Sequence, residues 1–304
     1  MDTPVLLKMI EMSQKPEEQE KTVRYLQQKI SRFVKQGDKV LISFPDHSPG
    51  SLSDLYSRAV KACGAVPVIW GPDKRWKTLL QQAFFSRANT VIGLPFVILG
   101  LAKLKKHSGL PIYLRNVVTA GYPCLDWMID GIQKGLDCTG WGSFSITTTS
   151  VVAGFSCDDS SGVHLRDDCF GIDIVDASGN VLPEGSFGDM VLYPLADPTL
   201  RYSMGERGRL EHKPCTCGCA SPRVMDLYPG KNDDPELVDL GQYLHSWTSV
   251  LDCNLVRGSY GLEIELVVFT GEKLPKLPSA AKQVIRPWDP KHDKPFFYKP
   301  LFLR

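Results

Sequence analysis

Apolar residues in the first half of the chain recur with two alternating periods. Between residues 17 and 34, Val23, Leu26, Ile30, Phe33 and Val34 fall on one helical stripe, after Pro16 and before Gly37, which predicts an amphipathic helix. Short apolar runs predict strands at residues 39–44, 66–70, 90–94 and 117–120, and amphipathic stretches predict helices at 53–63, 76–85 and 96–107. Strands alternating with helices imply βαβ units, and so a parallel-rich α/β sheet with flanking helices over residues 1–140. Beyond Trp141 the helical period gives way to turn signals. Residues 176–180 (Asp-Ala-Ser-Gly-Asn) and Pro183-Glu184-Gly185 separate the runs 171–175 and 189–193, so residues 141–230 read as a β-rich, mainly antiparallel subdomain. A polar cluster from Tyr228 to Asp234 then breaks the pattern. A helix at 240–251 and strands at 254–257 and 262–269 predict a small α+β C-terminal domain over residues 231–304, whose last thirty residues carry no clear element.

With 43% hydrophobic and 23% charged residues, the chain falls in the globular range. Its 35 Lys and Arg balance 34 Asp and Glu, and no basic run stands out, so neither nucleic acid nor an anionic membrane is an expected partner. No 18-residue apolar stretch occurs, and the short run at residues 4–7 has no basic region before it, so a cytoplasmic location is expected.

The nine cysteines are odd in number and should be reduced thiols. Cys63, Cys138, Cys169 and Cys253 lie among apolar residues and read as small core side chains. Cys215, Cys217 and Cys219 are denser, as expected of a soft-metal site, and Cys157 and His164 add two more ligand types upstream. The other histidines form no triad, the carboxylate pairs Asp167-Asp168 and Asp233-Asp234 are adjacent in sequence and face opposite ways, and the six tryptophans are expected in the core.

Several segments carry a resemblance. Residues 162–176 (Gly-Val-His … Ile-Val-Asp), 182–191 (Leu-Pro-Glu-Gly-Ser-Phe-Gly-Asp-Met-Val) and 200–206 (Leu-Arg-Tyr-Ser-Met-Gly-Glu) follow one another at the spacing of the phenylacetate-CoA ligase core. Ala120-Gly121-Tyr122-Pro123 resembles that family's Gly-Glu-Pro turn, Trp141-Gly142 its Tyr-Gly-x-Thr-Glu motif, and residues 230–234 its hinge, with Lys231 at the pivot. The likeness is good from residue 121 to 234 and weaker on either side.

By this resemblance the chain is similar to adenylate-forming enzymes, which activate a carboxylic acid with ATP and Mg²⁺ and then rotate a small C-terminal domain to pass the acyl group to coenzyme A. The resemblance implies that Gly121, Tyr122, Pro123, Trp141, Gly142, Arg201 and Glu206 serve a nucleotide. It also implies a structural zinc on Cys157, His164, Cys215 and Cys217, with Cys219 as the substitute thiol.

The chain departs from the family in three places. Residues 1–38 hold one glycine, Gly37, and no phosphate loop, so the core reads as N-terminally shortened. Phe144 and Ser145 replace the hydroxyl and the Mg²⁺-binding carboxylate, so Mg²⁺ is not expected, and Glu206 replaces an aspartate.

Three roles stay open at this point. The first is a ligase-like protein unable to adenylate alone, which binds an acyl, adenylate, ATP, AMP or coenzyme A ligand or partners a complete ligase. The second is an active ligase gripping ATP through residues 46–51, with Lys294 or Lys299 as a displaced lysine. The third is a structural or regulatory protein whose cleft is closed by side chains.

Overall fold

The computed structural model describes residues 3–146, 149–158, 162–228, 235–258 and 261–296. Helix α1 (Thr3–Ser13) leads into α2 (Pro16–Ile30). Pro16 opens α2 where a missing N–H costs nothing, Glu17 and Glu18 face the positive end of the helix dipole, and Lys29 faces the negative end. The stripe Val23, Leu26 and Ile30 is buried.

Then come β1 (Lys39–Ser43), α3 (Leu52–Ala62), β2 (Val66–Ile69), α4 (Trp76–Phe85), β3 (Thr90–Gly93), α5 (Pro95–Ser108), β4 (Asn116–Thr119) and α6 (Asp126–Leu136). The antiparallel region holds β5 (Thr139–Ile146), β6 (Val151–Phe155), β7 (Val163–Leu165), β8 (Phe170–Val175), β9 (Gly188–Pro194), β10 (Tyr202–Glu211) and β11 (Arg223–Tyr228). Last are α7 (Pro235–Ser246), β12 (Val250–Gly258), β13 (Gly261–Val268) and β14 (Lys282–Pro287).

Eleven strands form one sheet in the order β2-β1-β3-β4-β5-β6-β7-β11-β10-β9-β8. Strands β1 to β5 pair in parallel, as the βαβ pattern requires, and every pair from β5 through to β8 is antiparallel. Strand β5 belongs to both halves, since residues 139–142 run parallel to β4 while residues 143–146 run antiparallel to β6. A second sheet, β12-β13-β14, lies in the C-terminal part.

One core lies between the parallel strands and α4 to α6, another between those strands, α2 and α3, and a third inside the antiparallel region. The C-terminal sheet has its own cluster around Leu244, Ile264 and Leu266. It also contributes Leu251, Val267 and Phe269 to the first core, where Trp288 and Phe296 pack as well. Polar ties cross the same seam. Lys103 donates to the Val250 carbonyl at 2.6 Å, and the Trp76 N–H donates to the Asp293 carbonyl at 3.1 Å.

Helices α1 and α6 escape the sequence pattern, and α7 is displaced from it. Helix α6 carries Gly131 and Gly135, which weaken its helical signal, yet a Cβ on Gly135 would lie 2.8 Å from that of Ala102 on α5. Close packing of α5 against α6 therefore sets this sequence. Helix α7 begins earlier than the expected residues 240–251 and ends at Ser246, because Leu251 turns into the first core as part of β12. Strand β14 arises in the stretch that showed no element.

Gly100 offers a test of this packing. In an exposed helix interior Gly→Ala stabilises by about 0.5–1 kcal/mol, but a Cβ here would stand 2.1 Å from the Trp76 ring. Gly100→Ala is expected to destabilise by about 1–3 kcal/mol in urea unfolding, and a gain in stability would contradict the close α4–α5 contact.

Candidate ligand cleft and thiol cluster

The segments that resemble the ligase motifs converge where β4 and β5 end. Thr119, Tyr122, Pro123, Gly142, Phe144, Ser145 and Glu206 surround one recess, closed beneath by Val163 and Leu227. Strand alternation places Trp141 on the other face of the sheet, where its ring stacks on Phe33 at 4.8 Å and Arg32 lies 4.6 Å over it. Arg201 is also elsewhere, paired with Asp173 at 2.6 Å and lying over Tyr193. Tyr122, Pro123, Gly142 and Glu206 are thus brought together with Gly121 beside them, while Trp141 and Arg201 are not. Glu206 reaches the recess through an irregularity in β10, where Gly205 takes φ +82° and the register against β9 shifts.

The recess has a volume of about 50 Å³. Pockets that hold drug-sized ligands run to about 300–1,000 Å³. Phe144 belongs to the third core and Tyr122 packs on Phe96 at 4.7 Å, so both rings fill space. Three polar groups around the recess are engaged within the protein. The Gly121 N–H donates to the Ser145 hydroxyl at 2.8 Å, the Gly142 N–H to the Ser156 hydroxyl at 2.8 Å, and the Thr119 hydroxyl to the Trp141 carbonyl at 3.2 Å. Burial pushes the Cys124 thiol up to about 12, which keeps it neutral.

A wider cavity of about 720 Å³ adjoins the recess and runs toward α7. Its lining includes Asp126, Asp130, Asp226 and Asp239 and, among the described residues, no lysine or arginine. Lys294 lines neither space and is exposed, while Lys231 and Lys299 lie outside the described residues.

The turn before α3 is a helix cap. Ser51 accepts from the Asp54 N–H, Asp54 accepts from the Gly50 N–H at 3.0 Å, and Asp46 accepts from the Ser48 N–H at 2.9 Å. Two carboxylates therefore occupy the amides that an anion would need. The Ser48 backbone bond also holds the Asp46 carboxyl below its ordinary value.

Apart from the recess, Cys157, His164, Cys215 and Cys217 place their ligand atoms within 4.8 Å of one another. Cys157 Sγ lies 3.6 Å from Cys215 Sγ, and Cys217 Sγ lies 3.4 Å from His164 Nε2. His164 Nδ1 faces the Ser221 carbonyl at 3.0 Å, which as a donor leaves Nε2 the acceptor turned to the thiols. Cys219 contributes its backbone N–H, 3.4 Å from Cys217 Sγ. All nine cysteines are free of disulfides, and this set could hold a tetrahedral metal ion.

No family model matches the chain, and no curated protein matches its sequence. Solved structures do match. A 2-hydroxyisobutyryl-CoA ligase in the postadenylation state superposes with a TM-score of 0.66 at 14% identity, covering 87% of this chain and 66% of that one. A benzoate CoA ligase from Burkholderia xenovorans LB400 gives a TM-score of 0.57 at 10% identity, over 87% and 61% of the two chains. An anthranilate CoA ligase in complex with anthranoyl-AMP gives 0.54 at 13%, over 84% and 54%. The fold is therefore that of the adenylate-forming acid-CoA ligases, and the chain spans less than two thirds of the length of these neighbours. Among the described residues no helix is long and apolar enough to cross a membrane.

Phe144 tests how the recess is filled. Its side chain is 6% exposed, so Phe144→Ala is expected to cost about 3–5 kcal/mol, read by urea unfolding. A cost below about 1 kcal/mol would mean that the ring is not part of a packed wall.

Proposed function

We propose that this chain is a phenylacetate-CoA ligase-like protein that does not adenylate, because the recess where its motif residues meet is closed by its own side chains. The observation that carries this reading is the recess of about 50 Å³ where the motif residues meet. Adenylation requires preorganised donors aimed at phosphate oxygens and a positioned Mg²⁺. Here the Gly121 and Gly142 N–H groups and the Thr119 hydroxyl are spent on Ser145, Ser156 and Trp141. The wider cavity, with four aspartates and no basic residue among the described ones, opposes a triphosphate.

ATP and AMP do not fit these residues. The alternative, a grip through residues 46–51, is disfavoured because Asp46 and Asp54 already occupy that turn. Leu251, Val267 and Phe269 in the first core support a C-terminal unit, starting near residue 231, that is fixed rather than rotating.

The phenylacetate-CoA ligase branch is supported by the motif order and by the thiol cluster. A zinc ion fits that cluster. Bonds of about 2.3 Å to sulfur and about 2.0 Å to nitrogen give tetrahedral edges of about 3.5–3.8 Å; two of the six edges measure 3.6 and 3.4 Å, and all lie within 4.8 Å. Such a zinc supplies folding free energy and no reaction. The four ligands come from the segment after β6, from β7 and from the loop between β10 and β11, so the ion would tie the centre of the antiparallel region together.

Two outcomes are expected. The isolated protein gives no pyrophosphate exchange with ATP and any aryl or alkyl acid; exchange that disappears on Glu206→Ala would overturn the reading. Purified protein carries about one zinc per chain, and Cys215→Ser or His164→Ala lowers both the zinc content and the melting temperature, whereas Cys219→Ser leaves both in place. Equal stability with and without a chelator would remove zinc from the account.

A further inference from the structure

A third cavity lies apart from the recess and is larger than it and its neighbour. A groove of about 950 Å³ runs between α5, α6 and the C-terminal end of α7, divided from the aspartate-lined cavity by Trp127, Asp130 and Gln242, which line both. Its charge is the reverse of that cavity. Lys103, Lys105, Lys106 and Lys134 line it against a single carboxylate, Asp130, in a chain whose formal net charge is only +1.

Helix ends explain part of this set. Lys105 donates to the Leu136 carbonyl at 2.9 Å and completes the end of α6, and Lys106 and Lys134 stand in last turns, where cations are favoured. Lys103 has no such explanation. It lies one turn earlier on α5, pressed against the C-terminal sheet, where its ammonium donates to the Val250 carbonyl and lies 3.5 Å from His245 Nδ1. Among the described residues no carboxylate lies within 4.0 Å of it, and the near acid Asp252 is engaged by the Cys253 and Phe296 N–H groups. Burial pulls the Lys103 ammonium down to about 8 and the His245 imidazole well below its ordinary value, so His245 is neutral. A buried ammonium whose nearest acid, Asp252, forms no ion pair with it and is already shared with two backbone N–H groups carries a cost that an anionic ligand in the groove would offset.

The rest of the lining fits a ligand with an apolar body. Trp127 and Trp247 both face the groove, and Leu99, Ala102 and Leu110 line it with them. The Lys134–Asp130 separation of 3.8 Å is between exposed side chains and leaves Lys134 available to a ligand.

We propose that this groove binds a small organic anion, a phosphate or carboxylate carried on a flat apolar body, with the headgroup at Lys103, Lys106 and Lys134 and the body against Trp127 and Trp247. The site is separate from the recess, so it stands or falls independently of the absence of adenylation.

The test is calorimetric titration of the full chain with 1-naphthyl phosphate and 1-naphthoate. Saturable binding at one site per chain is expected for at least one probe, and the tighter of the two identifies the headgroup. Inorganic phosphate and 1-naphthol, each lacking one half of the ligand, should bind at least about tenfold more weakly. The double variant Lys106→Gln/Lys134→Gln removes the charges of two exposed side chains without reversing them and should stay within a few degrees of the wild-type melting temperature, roughly what two helix-end charges are worth, while weakening the probe by about tenfold or more. Lys103→Met should weaken it further. No saturable binding by either probe, 1-naphthol binding as tightly as the anions, or unchanged affinity in the double variant would each overturn the proposal.

Discussion

The structure turns on strand β5, which must satisfy two partners of opposite direction. Its first four residues complete a parallel sheet with β4, and its last four open an antiparallel one with β6. A strand shared in this way cannot slip its register, because a one-residue shift would exchange every side chain between the two faces. Trp141 would then leave the core where Phe33 and Arg32 hold it, and Phe144 would leave the core it shares with Met9 and Met190. The same strand carries Ser145, whose hydroxyl fastens the turn after β4 through the Gly121 N–H. Joining the two halves of the sheet and closing the recess are therefore one arrangement of side chains.

That arrangement changes what the fold can do. An enzyme that forms an acyl-adenylate has to leave polar groups unsatisfied until the ligand arrives, and such groups cost free energy while they wait. In this chain the Gly121 and Gly142 N–H groups and the Thr119 hydroxyl are satisfied from within, by Ser145, Ser156 and the Trp141 carbonyl. The C-terminal sheet is likewise held from both sides, by Leu251, Val267 and Phe269 in the first core and by the Lys103–Val250 hydrogen bond. What remains open is the long trough along α6 and α7, aspartate-lined at one end and lysine-lined at the other, with Trp127 between.

Much of this was legible in the sequence where local pattern and final burial agree. The stripe of α2 and the βαβ alternation through β4 follow from side-chain period alone. The ligand set Cys157, His164, Cys215 and Cys217 came from resemblance, and these residues converge in space. Other features depend on tertiary context. Helix α6 has glycines that make sense only beside α5, and the start of β12 is decided by the burial of Leu251. Trp141 and Arg201 match the family in order but face other parts of the fold, a difference that sequence order cannot express. The basic groove was hidden because Lys103, Lys134 and Trp247 belong to three separate helical regions and form no run.

The central claim is that the recess between Tyr122, Phe144 and Glu206 is filled by the protein itself. It is tested most directly by calorimetric titration with a stable acyl-adenylate mimic, an aryl-acyl sulfamoyl adenosine, which needs neither Mg²⁺ nor catalysis to bind. The account predicts no saturable heat. Tight one-to-one binding that Glu206→Ala abolishes would contradict it.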